Sequence, residues 1–171
     1  RLSLVGSEMC IRDRVMADAE IVTSSDFIST SYSHDYSRWA SVIRSYLVGC
    51  DDGRLMRVYS GSKGDYVEYY DSDFNLLESK TIDKELSLFG GFYAGKDAYY
   101  IVSGQNNPDE SANVECFRIT KYDKNWNRIT STGLYDCNTY SPFDVGSLRM
   151  TEASGYLFIR TAHEMLSLIH I

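Results

Sequence analysis

The sequence predicts an all-β fold of antiparallel four-stranded repeats, arranged as an incomplete β-propeller. Three observations lead to this prediction. A turn motif recurs 52 residues further along the chain. The chain has 14 tyrosines, and tyrosine together with Val, Ile, Phe and Thr favours half-buried strands. Apolar runs contain Gly90, Gly91 and Gly146, as expected for innermost strands crowded around a central channel.

The recurring motif consists of a tyrosine, an aspartate, an aromatic residue and an asparagine at fixed spacing. Its two copies are Tyr70, Asp71, Phe74 and Asn75, and Tyr122, Asp123, Trp126 and Asn127. An aspartate in this position accepts a hydrogen bond from a backbone N–H two residues on, and an asparagine tolerates the unusual backbone that follows. The motif therefore predicts two strands joined by a tight turn, with the aromatic ring folded over the end of the hairpin.

Further runs of strand-forming residues complete each repeat. The predicted strands are residues 41–48, 54–60, 66–71 and 76–82 in the first repeat, and 89–94, 98–103, 115–123 and 128–134 in the second. A third repeat begins with residues 144–150 and 156–160. Four short strands in about 50 residues are typical of a propeller blade, and a complete propeller has about four to eight blades. An antiparallel meander or a sandwich is the alternative fold.

The two ends of the chain resemble translated sequencing adapter. Residues 4–14 and 166–171 can be back-translated into reverse complements of one DNA word, which resembles the transposon end of tagmentation libraries. A short signal or anchor peptide and a terminal strand are the alternative interpretation. We expect residues 1–14 and 166–171 to carry no biological meaning and residues 15–37, rich in Ser, Tyr and Asp, to be a lead or linker. Residues 38–165 then form two blades and the start of a third.

Composition argues against several classes of function. The net charge of −7 and the lack of a basic cluster argue against nucleic-acid binding, which needs grouped Lys and Arg. No apolar run reaches the ~20 residues that span a membrane. Cys50, Cys116 and Cys137 form no paired ligands at short spacing, so no zinc site is expected. Cys116 and Cys137 could form a disulfide in an exported protein, or all three could be ordinary free cysteines.

One group of carboxylates resembles a metal loop. Asp71, Asp73 and Asn75 have the spacing that opens a calcium loop, but the loop also needs Gly at its sixth position and Glu at its twelfth. Those positions hold Leu76 and Ile82. Turn chemistry is therefore predicted here, and no metal or cofactor is expected.

Four residues are candidates for ligand binding. If residues 144–150 form an innermost strand, the side chains of Asp144 and Arg149 alternate between the channel and the blade. Trp39 and Tyr93 are aromatic residues that could stack on a sugar ring. The alternative is that these charges form ion pairs and these rings pack within blades.

Three stretches of the chain, residues 88–95, 122–128 and 147–152, resemble propeller-like regions of large, uncharacterised bacterial secreted or cell-surface proteins. The resemblance covers roughly residues 38–165, implies an extracellular or cell-surface location and carries no activity with it. We expect a non-catalytic module that binds carbohydrate or protein. A carbohydrate-active enzyme fragment is an alternative that needs two carboxylates about 5 to 9.5 Å apart. A purely structural repeat is the other.

Overall fold

The computed structural model describes residues 43–144 and 148–164, and all regular structure in these ranges is β. The strands are β1 Ser45–Gly49, β2 Leu55–Ser60, β3 Asp65–Tyr70, β4 Leu76–Ile82, β5 Leu88–Ala94, β6 Tyr99–Gly104, β7 Phe117–Tyr122, β8 Arg128–Leu134, β9 Ser141–Pro142, β10 Arg149–Ala153, β11 Tyr156–Arg160 and β12 His163–Glu164. The trailing adapter-like residues, the lead at residues 15–37 and the first 14 residues lie outside these ranges.

The strands form two four-stranded antiparallel sheets and two short strand pairs. Strands β1 to β4 make sheet I and β5 to β8 make sheet II, each in sequential order. Strands β10 and β11 form sheet III, and β9 pairs with β12. The sheets do not close into a barrel. The predicted all-β class with antiparallel four-stranded repeats is confirmed, and the arrangement is consistent with an incomplete propeller or a meander.

Both predicted hairpins have the same hydrogen-bond pattern. The Oδ1 atom of Asp71 accepts hydrogen bonds from the backbone N–H groups of Asp73 and Asn75, each at 2.9 Å, and its Oδ2 atom accepts one from the Asn75 side chain. The same three bonds, each at 2.8 Å, surround Asp123 in the second copy. A β-bulge precedes the turn in both sheets. The carboxylates are therefore turn acceptors, as predicted.

The unusual backbone of these turns lies one residue earlier than predicted. Phe74 and Trp126, and not the asparagines, have a positive φ, which is 65° in both. The reason is that the asparagine already pairs with the aspartate through its own N–H and side chain. The aromatic residue between them therefore takes the left-handed conformation that turns the chain.

Two hydrophobic clusters lie on opposite faces of sheet II. The first joins Met56, Val58 and Tyr69 of sheet I to residues of sheet II that include Phe92 and Trp126. The second joins the other face of sheet II to Leu148 and to β10 and β11. Alternation along the strands produces this arrangement, because successive side chains point to opposite faces of a sheet. Sheet II is therefore packed between sheet I and sheet III.

Two glycines of β5 permit this close packing. A Cβ atom on Gly90 would lie 2.3 Å from the ring of Phe143, and one on Gly91 would lie 2.8 Å from the Tyr46 hydroxyl. β5 is thus closely packed at these two glycines, whereas Gly146 lies outside the described residues. That β5 is the innermost strand at a central channel stays a prediction. A β-bulge between Phe89 and Gly91 accompanies the crowding.

An ion-pair network fixes the connection between the first two repeats. Glu85, which follows β4, pairs with Arg118 of β7 at 3.0 Å and with Arg128 of β8. Arg118 also pairs with Glu115. The pKa of the Glu85 carboxyl lies below its usual range, chiefly because Arg128 donates a hydrogen bond to it. Hydrogen-bonded Arg–carboxylate pairs of this kind are among the stronger polar contacts in proteins.

The third repeat differs from its prediction. Its first described strand begins at Arg149 and runs to Ala153, whereas residues 144–150 were expected. Asp144 lies in a turn directly after Phe143, which has a φ of 66° and inserts its ring beneath β5. The chain is still turning at Asp144, so this residue does not alternate with Arg149 along one strand. The part of the chain that the structure describes has no helix long and apolar enough to cross a membrane.

Candidate functional site

A cleft of about 420 Å³ crosses the first strands of the three sheets. Its lining comprises Ile43, Tyr46 and Val48 at β1, Phe92, Tyr93 and Ala94 of β5, and Leu148, Arg149 and Met150 at β10. Most of these side chains are apolar, and the polar ones are those of Tyr46, Tyr93 and Arg149. The cleft has the size and character of a small-molecule site, which is usually apolar with a few placed polar groups.

The floor of the cleft depends on the contact of β5 with both neighbours. Tyr46 packs edge-on against Phe89 and Phe92, with ring centroids 6.2 and 6.0 Å away. Its hydroxyl reaches Gly91, where a larger residue would displace it. Burial raises the pKa of this hydroxyl, and Arg149 acts in the opposite direction. Tyr46 therefore stays neutral near pH 7.

Tyr93 is held in place by sheet III. Its hydroxyl oxygen accepts a hydrogen bond from the backbone N–H of Glu152 at 3.1 Å, and its ring lies 6.5 Å from that of Tyr100. The Glu152 carboxylate in turn accepts a hydrogen bond from the Lys96 backbone N–H at 2.9 Å. Gly95 allows this approach, since a Cβ atom there would lie 2.5 Å from the carboxylate. The half-buried ring of Tyr93 is thus fixed in orientation at the cleft.

Arg149 supplies the only charge of the described cleft lining. Its Nη1 atom donates a hydrogen bond to the carbonyl oxygen of Leu148 at 3.1 Å. A guanidinium carries five N–H donors in a fixed planar arrangement. The sequence predicted Tyr93 and Arg149 separately, and the structure brings them together.

The other two predicted site residues are not in this cleft. Asp144 lies in the turn after Phe143 and does not contribute to the lining. Trp39 lies outside the described residues. The prediction that Asp144 and Arg149 share one strand was wrong because the chain has not yet entered β10 at Asp144.

A second, more polar cleft of about 600 Å³ adjoins the first and shares Val48 and Ala94 with it. Its cations are Arg54, Lys96 and Lys124. Arg54 pairs with Asp52 at 2.7 Å. The sequence did not identify these three cations as neighbours, since they lie on turns of different repeats. The one sequence feature that pointed to this cleft is Lys124, a cation at the position where the first copy of the turn motif has Ser72.

Two of these cations lie over the faces of aromatic rings. The Arg54 guanidinium lies 4.6 Å from the Tyr69 ring centroid, and the Lys124 ammonium lies 4.2 Å from that of Tyr99. Lys124 also donates a hydrogen bond to the Gly95 carbonyl oxygen. Burial raises the pKa of Tyr99 to about 12. The Tyr69 and Tyr99 rings of this cleft are therefore each in contact with a cation.

The described residues contain no group of three or more His, Cys, Asp or Glu side chains arranged to hold a metal ion. The three cysteines of the same ranges are free thiols in this structure. Cys116 is buried in the second hydrophobic cluster, which lies between sheets II and III, and Cys137 packs against that cluster. Burial raises the pKa of the Cys137 thiol, which lowers its reactivity near pH 7.

No family model, no curated protein and no solved structure matches this chain. The site must therefore be interpreted from its own geometry.

Proposed function

We propose that the chain is a non-catalytic binding module that takes a carbohydrate in the cleft across β1, β5 and β10. The observation that carries this proposal is the placement of Tyr93 and Arg149 on the same cleft. A fixed aromatic ring beside hydrogen-bond donors suits a sugar, because the ring face covers its C–H groups and the donors bind its hydroxyls. The volume of the cleft lies within the range of small-molecule sites.

Binding is preferred to glycan cleavage because of the groups that line the cleft. Hydrolysis needs two carboxylates on either side of the scissile bond, about 5 to 9.5 Å apart. The described lining instead offers a ring, a guanidinium and apolar side chains. We propose further that the module belongs to an exported bacterial protein, supported by the resemblance of its repeats and by its acidic, tyrosine-rich composition.

Titration with a panel of neutral and acidic oligosaccharides, followed by two-dimensional NMR, tests the binding proposal. We expect shifts confined to β1, β5 and β10. Tyr93→Ala should weaken binding about tenfold, which corresponds to about 1.4 kcal/mol, and Arg149→Gln should weaken it to a similar extent. Arg160→Gln is the matched control. Arg160 lies directly opposite Arg149 in the strand register of β10 and β11, but it does not line the cleft.

Two results would contradict the binding proposal. One is the absence of shifts with every glycan at millimolar concentration. The other is an equal loss of binding in the Arg160→Gln control. Export is tested separately with antibodies against the purified chain. Labelling of intact source cells or of their culture medium supports export, and labelling only after lysis contradicts it.

A further inference from the structure

The cleft across β1, β5 and β10 continues into the more polar cleft of about 600 Å³. Val48 of β1 and Ala94 of β5 line both clefts, and both side chains are half-buried against the first hydrophobic cluster. The stretch that the two clefts share is therefore apolar. A ligand that lies on Val48 and Ala94 contacts both clefts at once.

Three hairpin connections bring the cations of the second cleft together. Arg54 lies between β1 and β2, Lys96 between β5 and β6, and Lys124 between β7 and β8. Consecutive antiparallel strands run in opposite directions, so every second connection lies at the same end of a sheet. The packing of sheet I on sheet II then places one end of each sheet beside the other. Positive charge from two repeats thus collects at one place.

Two buried tyrosines form the floor on which two of these cations lie. Tyr69 and Tyr99 are each buried, and the Tyr69 hydroxyl accepts a hydrogen bond from the Nε1 atom of Trp126 at 3.0 Å. The Arg54 guanidinium lies over the Tyr69 ring and the Lys124 ammonium lies over the Tyr99 ring. A ring face attracts a cation without neutralising it. Both cations are therefore held at the cleft with their charge intact.

The acidic side chains of the lining do not balance these cations. The charged residues of the lining are Asp51, Asp52, Arg54, Lys96 and Lys124. Asp52 is engaged by Arg54, since its Oδ2 atom accepts a hydrogen bond from the guanidinium at 2.7 Å and its Oδ1 atom accepts one from the backbone N–H at 3.1 Å. Lys96 and Lys124 take part in no ion pair among the residues that the structure describes. An excess of positive charge thus lies in one cleft of a chain whose net charge is −7.

The two lysines present ammonium groups from neighbouring turns. Lys124 donates one hydrogen bond to the Gly95 carbonyl oxygen, and an ammonium has three N–H donors. The backbone N–H of Lys96 is bound by the Glu152 carboxylate, which fixes the turn and does not line the cleft, while the Lys96 side chain is exposed. Hydrogen bonds between oppositely charged groups are stronger than those between neutral ones. The pair of lysines therefore suits a carboxylate or a sulfate group.

We propose that the ligand of the two clefts is an acidic oligosaccharide. Its carboxylate or sulfate group binds Lys96 and Lys124, while a neighbouring sugar ring lies on Tyr93 in the first cleft. Val48 and Ala94 lie between these two contacts and cover the C–H groups of the sugar that joins them. The inference rests on the carbohydrate proposal above and adds the class of sugar.

Two matched pairs of glycans test the inference by two-dimensional NMR titration of the full chain. One pair is trigalacturonic acid and its methyl ester, and the other is a sulfated lactose and lactose itself. We expect the acidic member of a pair to bind about tenfold more tightly than the neutral one. Its shifts should extend from the first cleft to residues 49–54, 95–96 and 124, and added salt should weaken its binding alone.

Variants of the two lysines locate the acidic group. Lys96→Gln and Lys124→Ser should each remove most of the advantage of the acidic glycan. Serine is the residue of the first hairpin at the position of Lys124, so the turn tolerates it. Lys63→Gln is the control for net charge, because Lys63 is exposed between β2 and β3, at the other end of sheet I from Arg54. The NMR spectrum shows that each variant is folded.

The outcomes separate this inference from the carbohydrate proposal. Equal affinity for both members of each pair, or binding of neutral glycans alone, would overturn the inference and leave the carbohydrate proposal standing. An acidic preference that Arg149→Gln abolishes and the lysine variants retain would also overturn it, because the acidic group then lies in the first cleft. Acidic binding that Tyr93→Ala leaves unchanged would contradict a ligand shared by both clefts. If no glycan binds, both proposals fail.

Discussion

The first and second repeats use one hairpin in two different settings. Both turns are closed by an aspartate that accepts three hydrogen bonds, and both place an aromatic residue at a φ of 65°. Trp126 is 5% exposed, whereas Phe74 is 67% exposed. The turn is therefore encoded locally, in four or five residues. Burial of the ring depends on whether another sheet lies against it.

The two repeats also differ in how their polar groups are satisfied. Glu68 is buried in sheet I and accepts hydrogen bonds from the hydroxyls of Tyr59 and Tyr70 at 2.9 and 2.6 Å. The equivalent position in sheet II is Thr120, whose buried hydroxyl has no partner in the described structure. A buried carboxylate requires such partners, because its desolvation is far more costly than that of a hydroxyl. Sheet I thus has a polar core on the face where sheet II has an apolar one.

The ion-pair network of Glu85, Arg118, Arg128 and Glu115, which we call the Glu85 clamp, has no counterpart in sheet I. The Glu85 partners Arg118 and Arg128 correspond, by the offset of 52, to Tyr66 and Leu76 in the first repeat. Neither of these can pair with a carboxylate through a positive charge. The comparison teaches that equivalent hairpins can lie in different surroundings: the aromatic ring is buried in the second repeat, beside the Glu85 ion pairs, and exposed in the first.

Truncation of the two aromatic residues should give the largest difference between the repeats. Trp126→Ala removes a ring buried between two sheets and should cost about 3 to 5 kcal/mol. Phe74→Ala removes an exposed ring and should change the free energy of unfolding by no more than about 0.5 kcal/mol. Urea unfolding of dilute samples measures both.

A conservative variant separates the ring from its hydrogen bond. Trp126→Phe gives the second repeat the residue of the first and removes the donor to Tyr69. We expect it to cost about 1 to 2 kcal/mol. Equal destabilisation by Trp126→Ala and Phe74→Ala would show that the two hairpins are not in different settings, and the comparison would fail.

Local patterns were sufficient to predict most of the fold. Strands β4, β8 and β11 have the predicted bounds, β2 and β5 differ by one residue at their first position, and β3 and β6 differ by one residue at both ends. Turn residues and alternating apolar residues encode these strands directly. The start of β10 could not be predicted, because it depends on Phe143, whose ring inserts beneath Gly90. A contact of that kind joins distant parts of the chain and leaves no local signal.

Removal of the turn aspartates should have the next largest effect. Asp123→Ala and Asp71→Ala each remove an acceptor of three hydrogen bonds. Asp123→Ala should lower Tm more, because its turn also positions the buried Trp126, while the Asp71 turn positions an exposed ring. Thermal unfolding followed by circular dichroism measures the difference. Equal losses in Tm would mean that turn geometry and ring burial are independent.

The ion pairs of Glu85 and Glu115 should make the free energy of unfolding depend on pH. Hydrogen bonds from Arg128 and Arg118 hold the pKa values of Glu85 and Glu115 below their ordinary values, so these groups are more acidic in the folded chain than in the unfolded chain. Their contribution to stability is therefore complete above the ordinary glutamate pKa near 4.5 and is lost as the pH falls through the lower folded pKa.

Urea midpoints between about pH 7 and about pH 3 check this sign. Glu85→Gln should lower the midpoint at neutral pH and flatten its fall in acid. Glu78→Gln is the control, because Glu78 is exposed on β4 and takes part in no described ion pair. An acid-induced fall that is the same in Glu85→Gln and in the unmodified chain would show that the clamp does not contribute.

The candidate site was only partly predictable for a related reason. Tyr93 and Arg149 were singled out by residue type and by their expected position on innermost strands. Their meeting in one cleft depends on Glu152, whose backbone holds the Tyr93 hydroxyl, and on Gly91 and Gly95, which let neighbouring strands approach. The cations of the adjoining cleft come from three turns, and only the packing of sheets I and II brings them together.

The smallest predicted effect concerns the hydroxyl that distinguishes sheet II from sheet I. The Thr120 side chain is fully buried and its Oγ1 atom has no partner in the described structure. Thr120→Val keeps the shape and removes the unsatisfied group, so it should stabilise the chain by about 1 kcal/mol. Thr132→Val on the exposed part of β8 is the control and should change stability by less than about 0.5 kcal/mol. Destabilisation by Thr120→Val would instead show that the hydroxyl is bound in solution, and that the two faces are more alike in polarity than their sequences indicate.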